Sequence, residues 1–192
     1  MKKILAYCIL LTMVYVFVGC NSSGKNTADA NNPTREELKV AIKQMEDSLV
    51  ALSSYKSSGA TMSLSQQELI NRLTTYYRFY PEDPFSAECL FKVQMLYANL
   101  SAHRKSIAYG DTVLMKFPNY KNINLVIESN IATLDVFIEP RDTAAIRKYY
   151  NMLLSDSNYP SVKKIEIKRR LSHLNLTIFE YANLPKKGQA KK

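Results

Sequence analysis

The sequence predicts an all-α protein of about six to seven helices joined by short turns. Three observations predict this fold class. Only five of the 192 residues are glycine, which disfavours sheets and loop-rich α/β folds, where tight turns depend on glycine. The seven prolines stand between the apolar segments and not inside them, as they do at helix ends. Within those segments, apolar residues recur every three to four positions, the period of an amphipathic helix.

Residues 1–19 are predicted to be a signal peptide. Lys2 and Lys3 form a basic start, and the 15 residues 4–18 are apolar or uncharged, too few to span a bilayer well and typical of a secretory signal. The run ends in Phe17-Val18-Gly19-Cys20, which resembles the lipobox of bacterial lipoproteins. The resemblance implies that Cys20 is acylated, with palmitate among its chains, and becomes the mature N-terminus. An ordinary secretory signal or membrane anchor with an incidental cysteine is the alternative.

Residues 20–33 are predicted to tether the folded domain to the membrane. After Cys20 they run NSSGKNTADANNP, which is polar and has no apolar period, as in flexible linkers. In lipoproteins an Asp directly after the acylated Cys often marks retention in the inner membrane, and Asn21 stands there instead. The resemblance therefore implies an outer-membrane lipoprotein. Surface-exported lipoproteins of Bacteroidota-type bacteria tend to carry an acidic run just after this Cys, and the residues after Cys20 lack one, so the resemblance favours the periplasmic face.

The domain is predicted to begin with a helix from Arg35 to Tyr55, inside an N-terminal unit of residues 34–60. Thr34 and Glu37 have the spacing of a capping box. The apolar positions of the helix alternate in steps of four and three: Leu38, Ile42, Met45, Leu49 and Leu52. Such a stripe forms an oligomeric coiled coil through residues 35–56, or it packs onto the next helices as an N-terminal cap. Its length of about two heptads favours the cap.

Six further helices are predicted from caps and proline stops. A Ser65–Glu68 capping box opens one that Pro81 ends, and Asp83 followed by Pro84 opens the next. The other four are expected after Ser101-Ala102, at 122–138, after Asp142, and from Ser161 to about Ala182. Residues 184–192 are predicted to be a basic, disordered tail.

An aromatic residue followed by proline recurs at three predicted helix ends. These pairs are Tyr80-Pro81, Phe117-Pro118 and Tyr159-Pro160, spaced by 37 and 42 residues. A repeat of this length is typical of helical hairpins stacked into a solenoid.

The unit between Pro81 and Pro118 resembles a tetratricopeptide (TPR) repeat, of the divergent kind seen in envelope lipoproteins of Bacteroidota-type bacteria. Its residues at packing positions of the repeat are Leu90, Val93, Tyr97, Ser106 and Val113. Two positions depart, because Gln94 stands where a small residue is usual and Gly110 where an aromatic is usual. The resemblance implies a TPR-like solenoid over residues 61–183. An irregular helical bundle is the alternative.

No motif points to catalysis or to a bound metal. His103 and His173 have no partner at metal-ligand spacing, and Cys89 lies in an apolar helical stretch where a small core residue is expected. The sequence has no glycine-rich phosphate loop and no nucleophile elbow. We therefore expect neither enzymatic activity nor a cofactor or metal site.

The resemblance implies a protein-interaction module in the cell envelope. It extends distantly to TPR lipoproteins of outer-membrane assembly complexes, which implies a role in outer-membrane protein assembly or secretion with an envelope protein as partner. In such arrays a concave groove docks partner subunits or chain segments. The candidate groove residues, expected to be exposed, are Lys92, Gln94, Tyr97, Asn99, Asn130 and Thr133.

The net charge of +9 is concentrated at one end of the chain. From Tyr159 onward there are nine Lys and Arg against two acidic residues, so this segment alone carries +7. Its helical part forms a basic patch: Lys163, Lys164, Lys168, Arg169 and Arg170. A nucleic-acid partner is not expected outside the cytoplasm. The patch instead suits polyanions, a membrane surface or peptidoglycan as an alternative function, or it is a solvated end cap.

Overall fold

The computed structural model describes residues 32–54 and 58–184. Within these ranges the chain forms eight helices and no β-strand, which confirms the all-α prediction. The helices are α1 (Arg35–Ser54), α2 (Gly59–Phe79), α3 (Pro84–Asn99), α4 (His103–Lys116), α5 (Ile123–Val136), α6 (Thr143–Ser155), α7 (Ser161–Leu171) and α8 (Ile178–Ala182). The predicted signal peptide, Cys20, most of the tether and the tail from residue 185 lie outside the described residues.

Two of the predicted helix caps are formed by aspartate side chains. Asp83 accepts a hydrogen bond from the backbone N–H of Phe85 at 2.8 Å, and Asp142 accepts one from Ala145 at 2.8 Å. Each bond satisfies a backbone donor that the first turn of a helix leaves without an intrahelical partner. Pro84 occupies the start of α3, where the missing N–H costs nothing.

Two helix boundaries differ from the prediction. Helix α2 begins at Gly59 and not near Ser65, because the Ser58 hydroxyl caps it by accepting from Thr61 N–H at 3.3 Å. The predicted last helix is two helices, because Thr177 and Glu180 form a capping box that starts α8 after a break. Each start uses a serine or threonine cap that the sequence contains but that competes with other candidates nearby.

Each helix from α1 to α7 packs chiefly against its neighbours in the chain. The apolar stripe of α1 contributes Ile42, which is buried, and Leu38, Met45 and Leu49, which pack against the core formed with α2 and α3. The chain's own helices therefore cover this side of α1. Two further clusters continue the core, one around Leu90, Val113 and Val126 and one from Ile127 to Leu174.

A buried ion cluster joins the last helices to α5. Asp135 on α5 accepts from Arg141 at 2.7 Å and from Arg170 on α7 at 2.9 Å. Arg170 also donates to the backbone carbonyls of His173 at 2.8 Å and Leu176 at 2.9 Å. These two bonds satisfy carbonyls in the break between α7 and α8, so one guanidinium holds both sides of that break to α5.

Candidate functional site

A cleft of about 670 Å³ lies between the α2–α3 turn and the α4–α5 turn. We call it the turn cleft. Its apolar lining is formed by Pro84, Phe85, Phe117, Pro118 and Tyr120. The size of the cleft and the aromatic and proline side chains in its lining are typical of sites that bind a small ligand or the side chains of a peptide.

The two turns that border the cleft have the same backbone geometry. Tyr80 ends α2 with φ −131° and ψ 60°, and Phe117 ends α4 with φ −132° and ψ 60°. In both turns the aromatic carbonyl accepts from the N–H three residues later, that of Asp83 at 3.1 Å and that of Tyr120 at 2.9 Å. The repeated aromatic-proline pair therefore builds the same turn twice.

The aromatic side chains of the cleft are anchored in the core. Phe85 meets Tyr76 edge to face, with ring centroids 5.0 Å apart, a favourable arrangement for aromatic pairs. Tyr120 lies 6.0 Å from Phe91, and Phe117 packs on the cluster around Leu90 and Val113. The floor of the cleft is thus preorganised, which lowers the entropic cost of binding.

The rim of the cleft carries both signs of charge. Exposed Lys116 and Lys121 stand at the α4–α5 turn, and Glu82 and Glu88 stand at the start of α3. Glu88 already pairs with Lys92 at 3.1 Å. The two lysines of the lining, Lys116 and Lys121, both lie at the α4–α5 turn. At that turn they favour a partner with a carboxylate near its apolar side chains.

The third aromatic-proline pair does not form the same turn. Helix α6 ends at Ser155, and Tyr159 lies four residues later with its ring buried. Its hydroxyl donates to Glu128 at 2.6 Å, and burial together with this hydrogen bond raises the pKa of Tyr159. The longer connection lets the ring enter the core, so the turn geometry of the first two pairs is lost.

The sequence did not single out the lining of the turn cleft. Its signal was the 37-residue spacing of Tyr80-Pro81 and Phe117-Pro118, which places successive turns side by side if the hairpins stack. The prediction used this spacing for the fold alone. The candidate groove residues were placed on helix faces and not at turns.

The structure does not gather the six predicted groove residues on one exposed surface. Asn99 is exposed, and Lys92 is half-buried between Glu46 at 2.7 Å and Glu88. Burial lowers the pKa of Lys92, but its hydrogen bonds to both glutamates outweigh that and raise it. The other four residues are buried: Gln94, Tyr97, Asn130 and Thr133.

The four buried residues have partners that explain their position. Tyr97 stacks on Tyr109 with centroids 5.4 Å apart, and the Thr133 hydroxyl bonds the Ser129 carbonyl one turn earlier at 2.8 Å. Gln94 on α3 donates to Asn130 on α5 at 2.9 Å. These contacts join helices within the chain, and the side chains are therefore not available to a partner.

Gln94 and Asn130 belong to a chain of polar contacts that crosses four helices. Asn130 donates to Asp111 on α4 at 3.3 Å, and Asp111 also accepts from the Tyr149 hydroxyl on α6. Burial, followed by the hydrogen bond to Asp111, raises the pKa of Tyr149. The Gln94–Asn130 bond is buried, and the two bonds to exposed Asp111 are half-buried. Polar contacts between helices align them in one register, so we assign this network to the fold and not to binding.

The basic patch is only partly a surface feature. Arg170 is 3% exposed and belongs to the ion cluster with Asp135, which corrects its prediction as a surface residue. Lys163 pairs with Glu128 at 2.8 Å, and Arg169 donates to the Tyr181 hydroxyl at 2.7 Å. Lys168 and Arg169 remain exposed and Lys164 is half-buried.

His103 and Cys89, which were examined as candidate metal ligands or nucleophiles, pack against other side chains of the domain. His103 stacks on Phe137 with ring centroids 4.3 Å apart. Cys89 is buried in the cluster with α1 and α2, as predicted. Among the described residues, no three His, Cys, Asp or Glu side chains are arranged to hold a metal ion.

We expect Cys89 to be unreactive in the folded protein. Burial raises the pKa of its thiol to about 12, so at about pH 8 the reactive thiolate is scarce. In the chain from residue 20 onward with Cys20→Ser, Cys89 is the one cysteine left. A colorimetric thiol reagent should label it only after denaturation, and rapid labelling of the native protein would contradict the buried position.

None of the eight described helices combines the length and apolar character needed to cross a lipid bilayer. No protein-family model matches the chain, and it has no significant match among curated proteins or solved structures.

Proposed function

We propose that this protein is a lipid-anchored, TPR-like scaffold of the bacterial cell envelope that binds an extended segment of a partner protein. In this proposal Cys20 carries the lipid, the anchor lies in the outer membrane, and the helical domain faces the periplasm. The packing of α1 to α7 chiefly on sequence neighbours supports a solenoid, because helical repeats contact mainly adjacent repeats. The proposed activity is binding without catalysis, in outer-membrane protein assembly or secretion.

The turn cleft is the single observation that carries this proposal. Proline and aromatic side chains form its floor, and these pack well against extended peptides that carry proline or aromatic residues. Lys116 and Lys121 then stand where they can pair with a carboxylate on the same segment. The proposed ligand is thus a short extended segment with an aromatic or proline residue beside an acidic one.

A photocrosslinking amino acid placed at Asn119, a cleft residue at the tip of the α4–α5 turn, tests this function in intact cells. We expect a protein adduct, because the side chain borders the cleft. Reversing the rim charge with Lys116→Glu and Lys121→Glu should reduce the adduct at least severalfold, since mismatched charges disfavour association.

The matched control reverses two exposed lysines away from the cleft, Lys105→Glu and Lys148→Glu. This variant should keep the adduct at Asn119. Equal loss in both variants would mean that net charge, and not the cleft, governs binding. Recovery of lipid or peptidoglycan alone at Asn119 would reject the proposed protein ligand.

A further inference from the structure

The outer face of α7 exposes apolar side chains to solvent. Ile167 and Arg170 turn inward and are buried, which fixes the orientation of the helix. On the opposite side Val162 is 70% exposed and Ile165 is 69% exposed. Because they are separated by three residues, these two side chains lie next to each other on one helix face.

Cationic side chains accompany this apolar pair. Arg169 follows Ile165 by four residues and lies on the same face, and Lys168 lies at its edge. Both are exposed, and neither makes an ion pair with another described residue. One carboxylate, that of Glu166, is exposed on the same helix. The outer face is therefore apolar along its centre and positive at its C-terminal end.

Helix α8 contacts α7 and adds an exposed aromatic side chain beside it. Arg169 donates to the Tyr181 hydroxyl at 2.7 Å, which connects α7 to α8. Phe179 on α8 is 67% exposed. The following residues 185–192 carry four lysines and no acidic residue. Exposed apolar groups and an excess of positive charge thus coincide at one end of the chain.

We propose that the outer face of α7, with Val162, Ile165, Lys168 and Arg169, binds the surface of a lipid bilayer that contains anionic headgroups. Apolar residues on one helix face beside cations are typical of helices that lie in a membrane interface. Val162 and Ile165 enter the headgroup region while the two cations meet lipid phosphates. Val162 and Ile165 protrude from a single helix and do not line the pocket beside it that Arg169 helps to form, so the apolar part of this face suits a broad lipid surface better than an acidic protein.

This contact is independent of the turn cleft, and it adds a second interaction to the proposed function. A lipid anchor at Cys20 would hold the face near the bilayer, so a weak surface affinity would suffice. The contact would then orient the domain on the membrane. The test below uses a chain without the anchor, so that the affinity of the face is measured by itself.

The experiment measures binding of the chain from residue 20 onward, with Cys20→Ser, to vesicles by flotation. We expect binding to vesicles of mixed phosphatidylglycerol and phosphatidylcholine, little binding to phosphatidylcholine alone, and weakening by salt. Lys168→Gln with Arg169→Gln should weaken binding on the order of 30-fold, because each cation near an anionic surface contributes about a factor of five. The exposed pair Arg147→Gln with Lys148→Gln on α6 loses the same charge and should change binding less than about threefold.

The apolar contribution has its own matched pair. Val162→Ser with Ile165→Ser should weaken binding on the order of tenfold. The control is Val50→Ser with Leu64→Ser, at positions 66% and 73% exposed on α1 and α2, and it should leave binding unchanged. Thermal unfolding followed by circular dichroism verifies that all variants fold.

Three results would overturn the proposal. The first is equal binding to neutral and anionic vesicles. The second is an equal loss of binding in either control pair. The third is binding to soluble polyglutamate without binding to vesicles, which would identify an acidic polypeptide as the partner of this face.

Discussion

Asp135→Ala is expected to lower the free energy of unfolding by about 3–5 kcal/mol, because it leaves buried charges without their counterion. The Asp135 carboxylate pairs with two arginines, at 2.7 Å to Arg141 and 2.9 Å to Arg170. The Arg170 side chain is 4% exposed and the Arg141 side chain 12% exposed. Arg170 cannot be hydrated without local opening of the structure, and Arg141 is only slightly exposed. Urea denaturation followed by circular dichroism measures the loss.

The matched control is Asp47→Ala on α1. Asp47 also pairs with a cation, Lys43, but both side chains are more than 60% exposed. Exposed pairs of this kind contribute about 0–1 kcal/mol, so this variant should unfold almost like the unmodified protein. Equal effects of the two substitutions would mean that Asp135 is hydrated in solution and that the cluster is not buried.

Asp135→Ala should also destabilise the C-terminal helices α7 and α8 locally, before the rest of the domain unfolds. Arg170 holds the carbonyls of His173 and Leu176 while it pairs with Asp135. Without the carboxylate, Arg170 has no counterion in the core and turns toward solvent. The two carbonyls in the break between α7 and α8 then lose their hydrogen-bond donor. Hydrogen exchange of amides in residues 171–182 should therefore accelerate more than exchange in α2 and α3.

The sequence predicted most helices correctly because their signals are local. A proline, or an aspartate that accepts from the first turn, acts within a few residues and does not depend on the rest of the fold. Asp83, Pro84 and Asp142 are of this kind. The start of α2 was missed because Ser58 and Ser65 both satisfy the local rule for a cap. Residues 59–64 are mostly exposed, so the hydrogen bond from Thr61 N–H to the Ser58 hydroxyl, and not packing, marks the start of the helix.

The burial of polar side chains could not be predicted in the same way. Arg170 looks like a surface residue in its sequence context, Lys168-Arg169-Arg170. It is buried because Asp135, 35 residues earlier, meets it across the helices. Gln94 and Asn130 are likewise buried because each supplies a hydrogen-bond partner for the other. A single sequence does not display such distant pairs.

The turn cleft could be predicted from the sequence only in part. The aromatic-proline pairs predicted the two turns, and the structure shows that both have the same backbone geometry. The direction of each side chain did not follow. Phe117 borders the cleft, whereas Tyr159, in an equally marked position, enters the core because its connection is longer. Repeat spacing thus predicted where turns occur but not which of them form a site.

The two departures from the repeat pattern, Gln94 and Gly110, compensate each other in the packing of α3 against α4. A Cβ atom added to Gly110 would lie 2.7 Å from Gln94 Nε2 and 2.5 Å from Asn130 Oδ1. The glutamine therefore occupies space that a larger residue at position 110 would need. A large residue on α3 is compensated by the smallest residue on α4, and Asn130 on α5 bonds the glutamine amide at 2.9 Å.

Gly110→Ala is therefore expected to lower the free energy of unfolding by about 2–3 kcal/mol. In an unobstructed helix this change would raise stability by about 1 kcal/mol. Here the new methyl group must displace two buried amide side chains, which adds packing strain and leaves hydrogen bonds unmade. The sign of the effect thus distinguishes the packed site from ordinary helix propensity, and urea denaturation measures it.

Gly59→Ala is the control, because a Cβ atom at Gly59 has no neighbour within 4 Å. That substitution should leave stability unchanged or raise it by up to about 1 kcal/mol. A double-mutant cycle between Gly110→Ala and Asn130→Ala should then show a coupling of about 1–2 kcal/mol, since removal of the Asn130 amide relieves part of the overlap. If Gly110→Ala is as harmless as Gly59→Ala, Gln94 does not occupy this space, and its departure from the repeat pattern needs another explanation.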